Sequence, residues 1–499
     1  MPLPWYNWEA HVENPFVNEQ LNYDHDEECD SFESHESLFN EEQRSAFDDI
    51  IDSVTQKQGH LLFLNDPRGT GKTFVYNMVC HKLQSEGTIV LCVASSSITA
   101  LLFKGGWTAH SMFKIPVEDI TNNSMCSIPK EGLLAGLLHL TGIIIWDEVT
   151  MQLHYAFESV DCTCCDVCNT DEPFGGITVV FGGDFQQILP VVVKGSHEDI
   201  VSASLQHSYL WPEVNILWLT KNMWLENDDN ESWIFAQWLL NTGHGRNTDA
   251  DGTIYLPAHM HCSSSEALMD FIYPSIEQEG VPPPSYFLKQ IILAAWNSDV
   301  DKSNAVVLAK MNGEERVYCS ADSVITEAGA DTNPDDNPFP PEFLHTLTAL
   351  GLPPGKLHLK LGCPLILLCN LAPGIGLCNG TRMVLLRMTA KVLEVHLIGG
   401  DHDGEITFIP NTMSTPSGHN VDFSFELRRR QFPMQLAFVI TINKAQGQSV
   451  KDVGLDLQAP VFSHGQLYVA LSQATSGQRI RALLPDTSFI NEHHQMWLM

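Results

Sequence analysis

Leu61-Leu62-Phe63-Leu64-Asn65-Asp66-Pro67-Arg68-Gly69-Thr70-Gly71-Lys72-Thr73 is the stretch on which the fold turns. Its four apolar residues predict a short buried strand. The apolar periodicity from Phe74 to Leu83 predicts a helix. Between them lies a glycine-bearing turn ending in Gly71-Lys72-Thr73. Strand, turn and helix in that order are the setting a phosphate-binding P-loop requires. The backbone N–H groups of Gly69, Thr70 and Gly71, with the helix N-terminus, would hold phosphate oxygens. Lys72 would neutralise the β and γ phosphates, and Thr73 would ligate Mg²⁺. Asp66 stands where the motif begins with glycine. A carboxylate about 5 Å from a phosphate charge opposes it by roughly 3 kcal/mol at an effective dielectric near 20.

Two further strands extend the pattern. Ile143-Ile144-Ile145-Trp146-Asp147-Glu148 reads as a buried strand ending in two acids. Asp147 completes the Mg²⁺ shell in such an arrangement, and Glu148 polarises the attacking water. Ile177 to Phe181 reads as a third strand, leading into Gly182-Gly183-Asp184-Phe185-Gln186-Gln187. Gln187 would reach the γ-phosphate from a strand end, where ligands of open parallel sheets collect.

The whole chain sets bounds on these readings. Its 499 residues with 44% hydrophobic content imply several domains with ample core. No apolar run reaches the roughly 18 residues a membrane span needs. The best, from Gly132 to Trp146, is broken by His139 and Thr141. The N-terminus lacks a basic residue before an apolar stretch, which argues against a secretory signal. Thirteen cysteines, an odd number, point to a reduced compartment. Cys162, Cys164, Cys165 and Cys168 crowd into one segment. Four thiols suit tetrahedral Zn²⁺, yet structural zinc sites draw their pairs from separated segments, so no metal is expected there.

The net charge is −34, from 27 Lys and Arg against 61 Asp and Glu. A nucleic-acid partner usually leaves a basic footprint. The acidity is uneven, however. Residues 1–43 hold twelve acids and no Lys or Arg, which reads as a solvated, disordered arm. Between Lys356 and Lys451 ten basic residues face six acids, with Arg428, Arg429 and Arg430 consecutive. That net-positive segment is the expected DNA-facing surface.

With these motifs placed, the chain resembles the Pif-type (petite integration frequency) DNA helicases of superfamily one. More narrowly, it resembles the branch carried by Helitron-type mobile elements. The resemblance runs from about Asn40 to Pro485. It rests on Asn40-Glu41-Glu42-Gln43, Thr108-Ala109-His110-Ser111 and Pro173-Phe174-Gly175-Gly176. Further on it rests on Leu377-Cys378-Asn379-Gly380-Thr381-Arg382, Thr441-Ile442-Asn443-Lys444-Ala445-Gln446-Gly447-Gln448 and the segment from His464 to Ser472. The resemblance implies an α/β fold with two RecA-like P-loop NTPase domains and a small β-barrel inserted in the second. The expected division is an acidic arm over 1–38, a first domain over 39–225, a linker over 226–285, and a second domain over 286–499 with the insertion at about 356–430. It implies ATP and Mg²⁺ as cofactors, single-stranded or tailed duplex DNA as partner, no membrane, and 5′-to-3′ translocation. It places such a protein in the nucleus, or alternatively the mitochondrion, in DNA repair, recombination, telomere maintenance or transposition. By the same resemblance Gln43 contacts adenine, while Thr108, His110, Ser111, Thr441, Asn443, Lys444 and Gln446 touch DNA.

Several positions depart from the family pattern. Trp224 and Gln473 stand where the family has arginines that contact the γ-phosphate. Neither side chain carries a guanidinium. One such finger is worth roughly 10³ to 10⁵ in kcat. Arg382, Arg479 and Arg481 are the available substitutes. Trp107, Trp296, Gln186 and Cys369 also replace family arginines, while Asp66 and Ser97 replace glycines and Thr99 an alanine. All are single C-to-T or G-to-A changes, the pattern of a mobile-element copy that has drifted by cytosine deamination. Two other readings therefore stand beside the helicase. One is a pseudo-helicase that binds nucleotide or DNA without efficient turnover. The other is a non-enzymatic interaction protein using the acidic arm.

Overall fold

A computed structural model describes residues 14–485 and 490–491, apart from 66, 118–119, 193–194, 224–229, 248–252, 326–338, 350, 401, 417–424 and 449. Asp66 and Trp224 thus lie outside the described residues, as does most of the acidic segment 327–342. The chain divides into two compact units at Asp229/Asn230. Among the described residues no helix is long and apolar enough to cross a membrane.

The first unit runs α1 (Pro15–Leu21), α2 (His25–His35), α3 (Glu41–Thr55), β1 (Leu61–Asn65), α4 (Lys72–Ser85), β2 (Ile89–Ala94), α5 (Ser97–Ala100), β3 (Trp107–Thr108), α6 (Ala109–Phe113), α7 (Leu133–Leu140), β4 (Thr141–Asp147), α8 (His154–Cys168), β5 (Thr178–Gly183), α9 (His197–Ser202) and β6 (Val214–Trp218). Its six strands form one parallel sheet in the order β3-β2-β4-β5-β1-β6. β1, β4 and β5 are apolar runs buried on both faces, as parallel strands covered by helices must be. Trp146 anchors one face of the sheet, fully buried among Phe113, Phe157 and Phe181. The C-terminal ends of β4, β5 and β1 are neighbours, which brings Asp147, Gly183 and the turn after Asn65 together.

The acidic arm is not disordered where it is described. Asn14 and Asp24 cap α1 and α2 through their side chains. Glu28 on α2 is buried, and its carboxylate takes Lys104 Nζ at 2.8 Å and His81 Nδ1 at 2.5 Å. Burial pushes the Glu28 carboxyl up, but the hydrogen bonds from Lys104 and His81 outweigh it and hold it below its usual range. Composition alone read solvation here. The partners that fix the arm lie far along the chain.

The second unit begins with α10 (Asn230–Gly243), β7 (Thr253–Ile254), β8 (His261–Cys262), α11 (Ser265–Ile272), α12 (Ser285–Leu288), β9 (Gln290–Ala294) and α13 (Asn297–Lys310). β10 (Arg316–Cys319), β11 (Ala321–Ile325), α14 (Pro341–Thr346), β12 (Lys356–Leu359), β13 (Pro364–Leu367), β14 (Arg382–Met388), β15 (Val392–Ile398), β16 (Ile406–Pro410), β17 (Thr412–Ser414) and β18 (Glu426–Gln431) follow. It ends with β19 (Met434–Leu436), β20 (Val439–Thr441), α15 (Ile442–Ala445), β21 (Asp452–Asp456), α16 (Gln466–Ser472), β22 (Ile480–Leu483) and β23 (Ile490–Asn491). A parallel sheet, β20-β9-β21-β22-β8, is its centre. β8 and α11 come from the segment expected to be a linker. That segment is therefore part of this unit, because its apolar residues Leu268, Met269 and Ile272 join the core.

In and around the segment expected to hold a small barrel, the described residues form three antiparallel sheets: β16-β15-β14-β13-β19, β11-β18-β17 and β10-β12. No ladder among the described residues closes them into a ring. The arginine triplet sits on β18, and its middle member corrects the expectation of a DNA-facing basic surface. Strand alternation turns Leu427, Arg429 and Gln431 to the interior. The Arg429 guanidinium is fully buried. It donates to both Asp322 carboxylate oxygens (2.9–3.2 Å) and to the carbonyls of Leu344, Leu347 and Pro353. Removing one partner strands the other charge in the interior. Arg429→Met is therefore expected to cost about 3–5 kcal/mol in urea denaturation. A loss below about 1 kcal/mol would show that this ion pair does not hold the sheet.

Candidate active site

The P-loop turn follows β1 and ends at Lys72, the first residue of α4. Gly69 and Gly71 have φ of +92° and +88°, a left-handed backbone that side chains resist. A Cβ on Gly71 would also run into the Gln43 side-chain amide. Lys72 is buried, with Nζ 2.8 Å from Asp147 Oδ1 and 3.7 Å from Glu148 Oε1. β4 stops at Asp147 because Glu148 turns into the left-handed region, at φ +52° and ψ +38°. A non-glycine residue in that conformation stores strain of roughly 1–3 kcal/mol, a device common at functional sites. It aims the Glu148 carboxylate back towards Lys72 rather than onward along the sheet. Thr73 is half-buried in the first turn of α4.

Gly182 supplies the close approach that lets this cluster form. A Cβ there would overlap the hydroxyl of buried Tyr76 and come within 2.9 Å of Asp147 Oδ1. Gly182→Ala is expected to displace Asp147, costing about 1–3 kcal/mol by overpacking. Thermal denaturation together with ATP turnover would measure this, and wild-type values in both would contradict it. Gln187 is half-buried in the turn after β5, with its N–H donating to Asp184 O at 3.0 Å. The Asp184 carboxylate takes the Gln186 N–H at 2.9 Å.

Gln43, the expected adenine contact, is held by the protein at both ends of its amide. Its Oε1 accepts the Asn40 N–H and Asn40 Oδ1 accepts the Gln43 N–H, closing a capping box at the start of α3. Its Nε2 donates to Thr70 O at 2.9 Å, so the buried side chain braces the P-loop backbone.

Sequence reading passed over two supports of the same loop. Met223 N–H donates to Gly69 O at 2.8 Å, and Asn222 Nδ2 reaches Arg68 O at 3.4 Å. Glu42 clamps the preceding residues, accepting from the Thr220 N–H (2.6 Å), the Thr220 hydroxyl (2.5 Å) and the Lys221 N–H (3.1 Å). Burial raises the Glu42 carboxyl, but these donors together pull it below its ordinary range. The only sequence signal for them was position: Glu42 beside Gln43, and Asn222-Met223 before Trp224.

The residues expected to meet DNA lie at strand ends. Thr108 closes β3 and caps α6, its hydroxyl accepting the Ser111 N–H. His110 is 3.5 Å from Gln152 Nε2, and burial lowers its pKa. In the second unit Thr441 ends β20, and Asn443 Oδ1 accepts from Gln466 Nε2 at 2.8 Å. Lys444 faces Asp301; burial pushes its pKa down while Asp301 pulls it up. Thr441 and Gln446 are buried. Gln473 is buried as well, its amide folded back onto Val469 O at 3.1 Å. The three arginines named as substitutes are committed within the second unit. Arg382 holds the Phe287 and Gln290 carbonyls, Arg479 pairs with Asp452, and Arg481 lies over the Phe271 ring. Among the described residues no group of three or more Cys, His, Asp or Glu is arranged to hold a metal. Cys162, Cys164, Cys165 and Cys168 lie along α8, with Cys164 buried.

A P-loop and paired acids at the ends of two strands that flank β5 in one parallel sheet, followed in the chain by a second parallel sheet, define a P-loop NTPase of the RecA-like kind. Residues 38–253 match the family model described as PIF1-like helicase, and residues 342–388 match that of the DNA helicase Pif1 2B domain. The chain belongs to the PIF1-like helicase family. It is 25% identical over 474 residues to the ATP-dependent DNA helicase Pif1 of Psychrobacter sp., covering 86% of this chain and 66% of that one. It is 27% identical over 430 residues to the Mus musculus ATP-dependent DNA helicase PIF1, covering 85% and 58%. The chain thus spans about three-fifths of the length of these relatives. Its fold is similar to the crystal structure of Bacteroides Pif1 bound to ssDNA, with TM-score 0.63, 22% identity, and 90% and 93% of the two chains covered. It is also similar to Pif1 helicase from Candida albicans, with TM-score 0.59, 22% identity, and 89% and 94% covered.

Proposed function

We propose that this chain is an ATP-dependent DNA helicase that moves 5′ to 3′ on single-stranded DNA, in repair, recombination or transposition. The observation that carries the reading is the buried Lys72–Asp147–Glu148 cluster at the end of a turn whose glycines hold a left-handed backbone. These residues fit the cofactors the family uses. Mg²⁺, held by Thr73 and Asp147, would neutralise charge on the phosphate oxygens. Lys72 exchanges its carboxylate partners for the β and γ phosphates. Glu148, freed from that ammonium and aimed by its backbone, orients and polarises the attacking water. Gln187 stands at the neighbouring strand end to read the γ-phosphate. Thr108, His110 and Ser111 in the first unit, and Thr441, Asn443, Lys444 and Gln446 in the second, form the strand-binding set. The Helitron-type branch and a nuclear location, or alternatively a mitochondrial one, are narrower parts of the same proposal. They rest on motif wording and on the eukaryotic members of the family.

ATP turnover with and without oligo-dT, and unwinding of duplexes with a 5′ or a 3′ single-stranded tail, test the reading. DNA-stimulated turnover with unwinding from the 5′ tail supports it. ATP binding without DNA-stimulated turnover overturns it.

A further inference from the structure

Two large aromatic side chains of the second unit are left at the surface side by side. Trp296 and Phe462 are 43% and 44% exposed, yet their ring centroids are only 4.4 Å apart. Trp296 is fixed in place: its Nε1 donates to Pro460 O at 3.0 Å. It follows β9 by one residue and precedes α13. β9 lies between β20 and β21, with Ala294 in register with both Thr441 and Asp456. The pair therefore emerges at the C-terminal edge of the parallel sheet. The turn carrying Thr441, Asn443 and Lys444 is on one side, and the segment after β21 that carries Phe462 is on the other. That edge is where ligands of parallel sheets bind.

We infer that Trp296 and Phe462 form a stacking platform for a nucleobase. The inference rests on the DNA- and nucleotide-binding function proposed above. A pre-fixed indole face gives up little conformational freedom on binding. Bases of every kind offer a π-face to it, so the contact is tolerant of sequence. The nearby charges are mixed: Asp299, Asp301 and Asp456 stand beside Lys302 and Lys444. Phosphate attraction at this spot is accordingly weak, and affinity here would come from stacking.

Binding of labelled dT16 and of an abasic strand of equal length, measured by anisotropy at several salt concentrations, tests this in the full chain. ATP affinity is measured beside it. Trp296→Ala and Phe462→Ala are each expected to weaken dT16 binding roughly 5- to 150-fold. Abasic-strand binding and the salt slope should stay at wild-type values, and Trp296→Phe should restore most of the affinity. Loss of ATP affinity with dT16 binding unchanged would also support the platform, with adenine of the nucleotide as its base. Equal losses for dT16 and abasic strands, or no change for either ligand, would overturn it. If the wild-type chain binds neither DNA nor ATP, the proposed function fails, and the platform with it. If it binds DNA and ATP and these variants bind both equally well, only the platform fails.

Discussion

Lys72→Ala is expected to lower DNA-stimulated ATP turnover by about 10²- to 10³-fold or more, the scale of losing a preorganised charge at a transition state. It should also lower stability, which is less usual for a catalytic substitution. Lys72 Nζ is the cation for two buried carboxylates, Asp147 and Glu148. Removing it strands two like charges in the interior, at about 3–5 kcal/mol by analogy with other broken buried pairs. The two effects separate in a double variant. Lys72→Met with Asp147→Asn removes the charge and one of its partners, and should recover much of the stability while turnover stays at background. Chemical denaturation and steady-state ATPase on the same preparations check both. Wild-type stability in Lys72→Ala would mean that the ion pair is not formed in solution.

Trp224→Arg with Gln473→Arg is expected to raise DNA-stimulated kcat. A single arginine finger supplies roughly 10³ to 10⁵ in related phosphoryl-transfer enzymes. Gln473 has a buried amide that folds back onto its own helix at Val469 O. An arginine there is longer and carries a charge that resists burial, so its guanidinium is driven outward. For Trp224 the argument rests on its neighbours, since Asn222 and Met223 are tied to the P-loop backbone. Single-turnover ATP hydrolysis on the double variant is the measurement. An unchanged rate would refute the view that these two positions limit turnover.

What could be read from the sequence depended on how local the determining interactions are. The P-loop strand, turn and helix and the apolar run before Asp147 are written in consecutive residues. Their period and motif chemistry placed them within a few positions of β1, α4 and β4. The turn at Glu148 escaped because a left-handed backbone leaves no mark in composition. The arm escaped for another reason. Glu28 looks like one more solvated acid until Lys104 and His81 are brought to it by the fold. Arg429 was misread although its signal was present. Leu427, Arg429 and Gln431 alternate with Glu426, Arg428 and Arg430 in a period of two, which marks an inward face. Charge type alone does not reveal that face; alternation does. For Gln43 a motif match names only the residue. It does not say which hydrogen bonds that residue has already made.

The ties from Asn222 and Met223 to the phosphate loop have a mechanical meaning. These residues stand eight and seven positions before Asn230, where the second unit starts. The loop that would grip the triphosphate and the covalent tether between the units are thus coupled in series, through Gly69 O and Arg68 O. Glu42 anchors the near end of the tether at Thr220 and Lys221. A shift of the loop would pull directly on the Met223 backbone and the Asn222 side chain. Strain in the phosphate loop thus has a route into the peptide backbone a few residues ahead of the second unit.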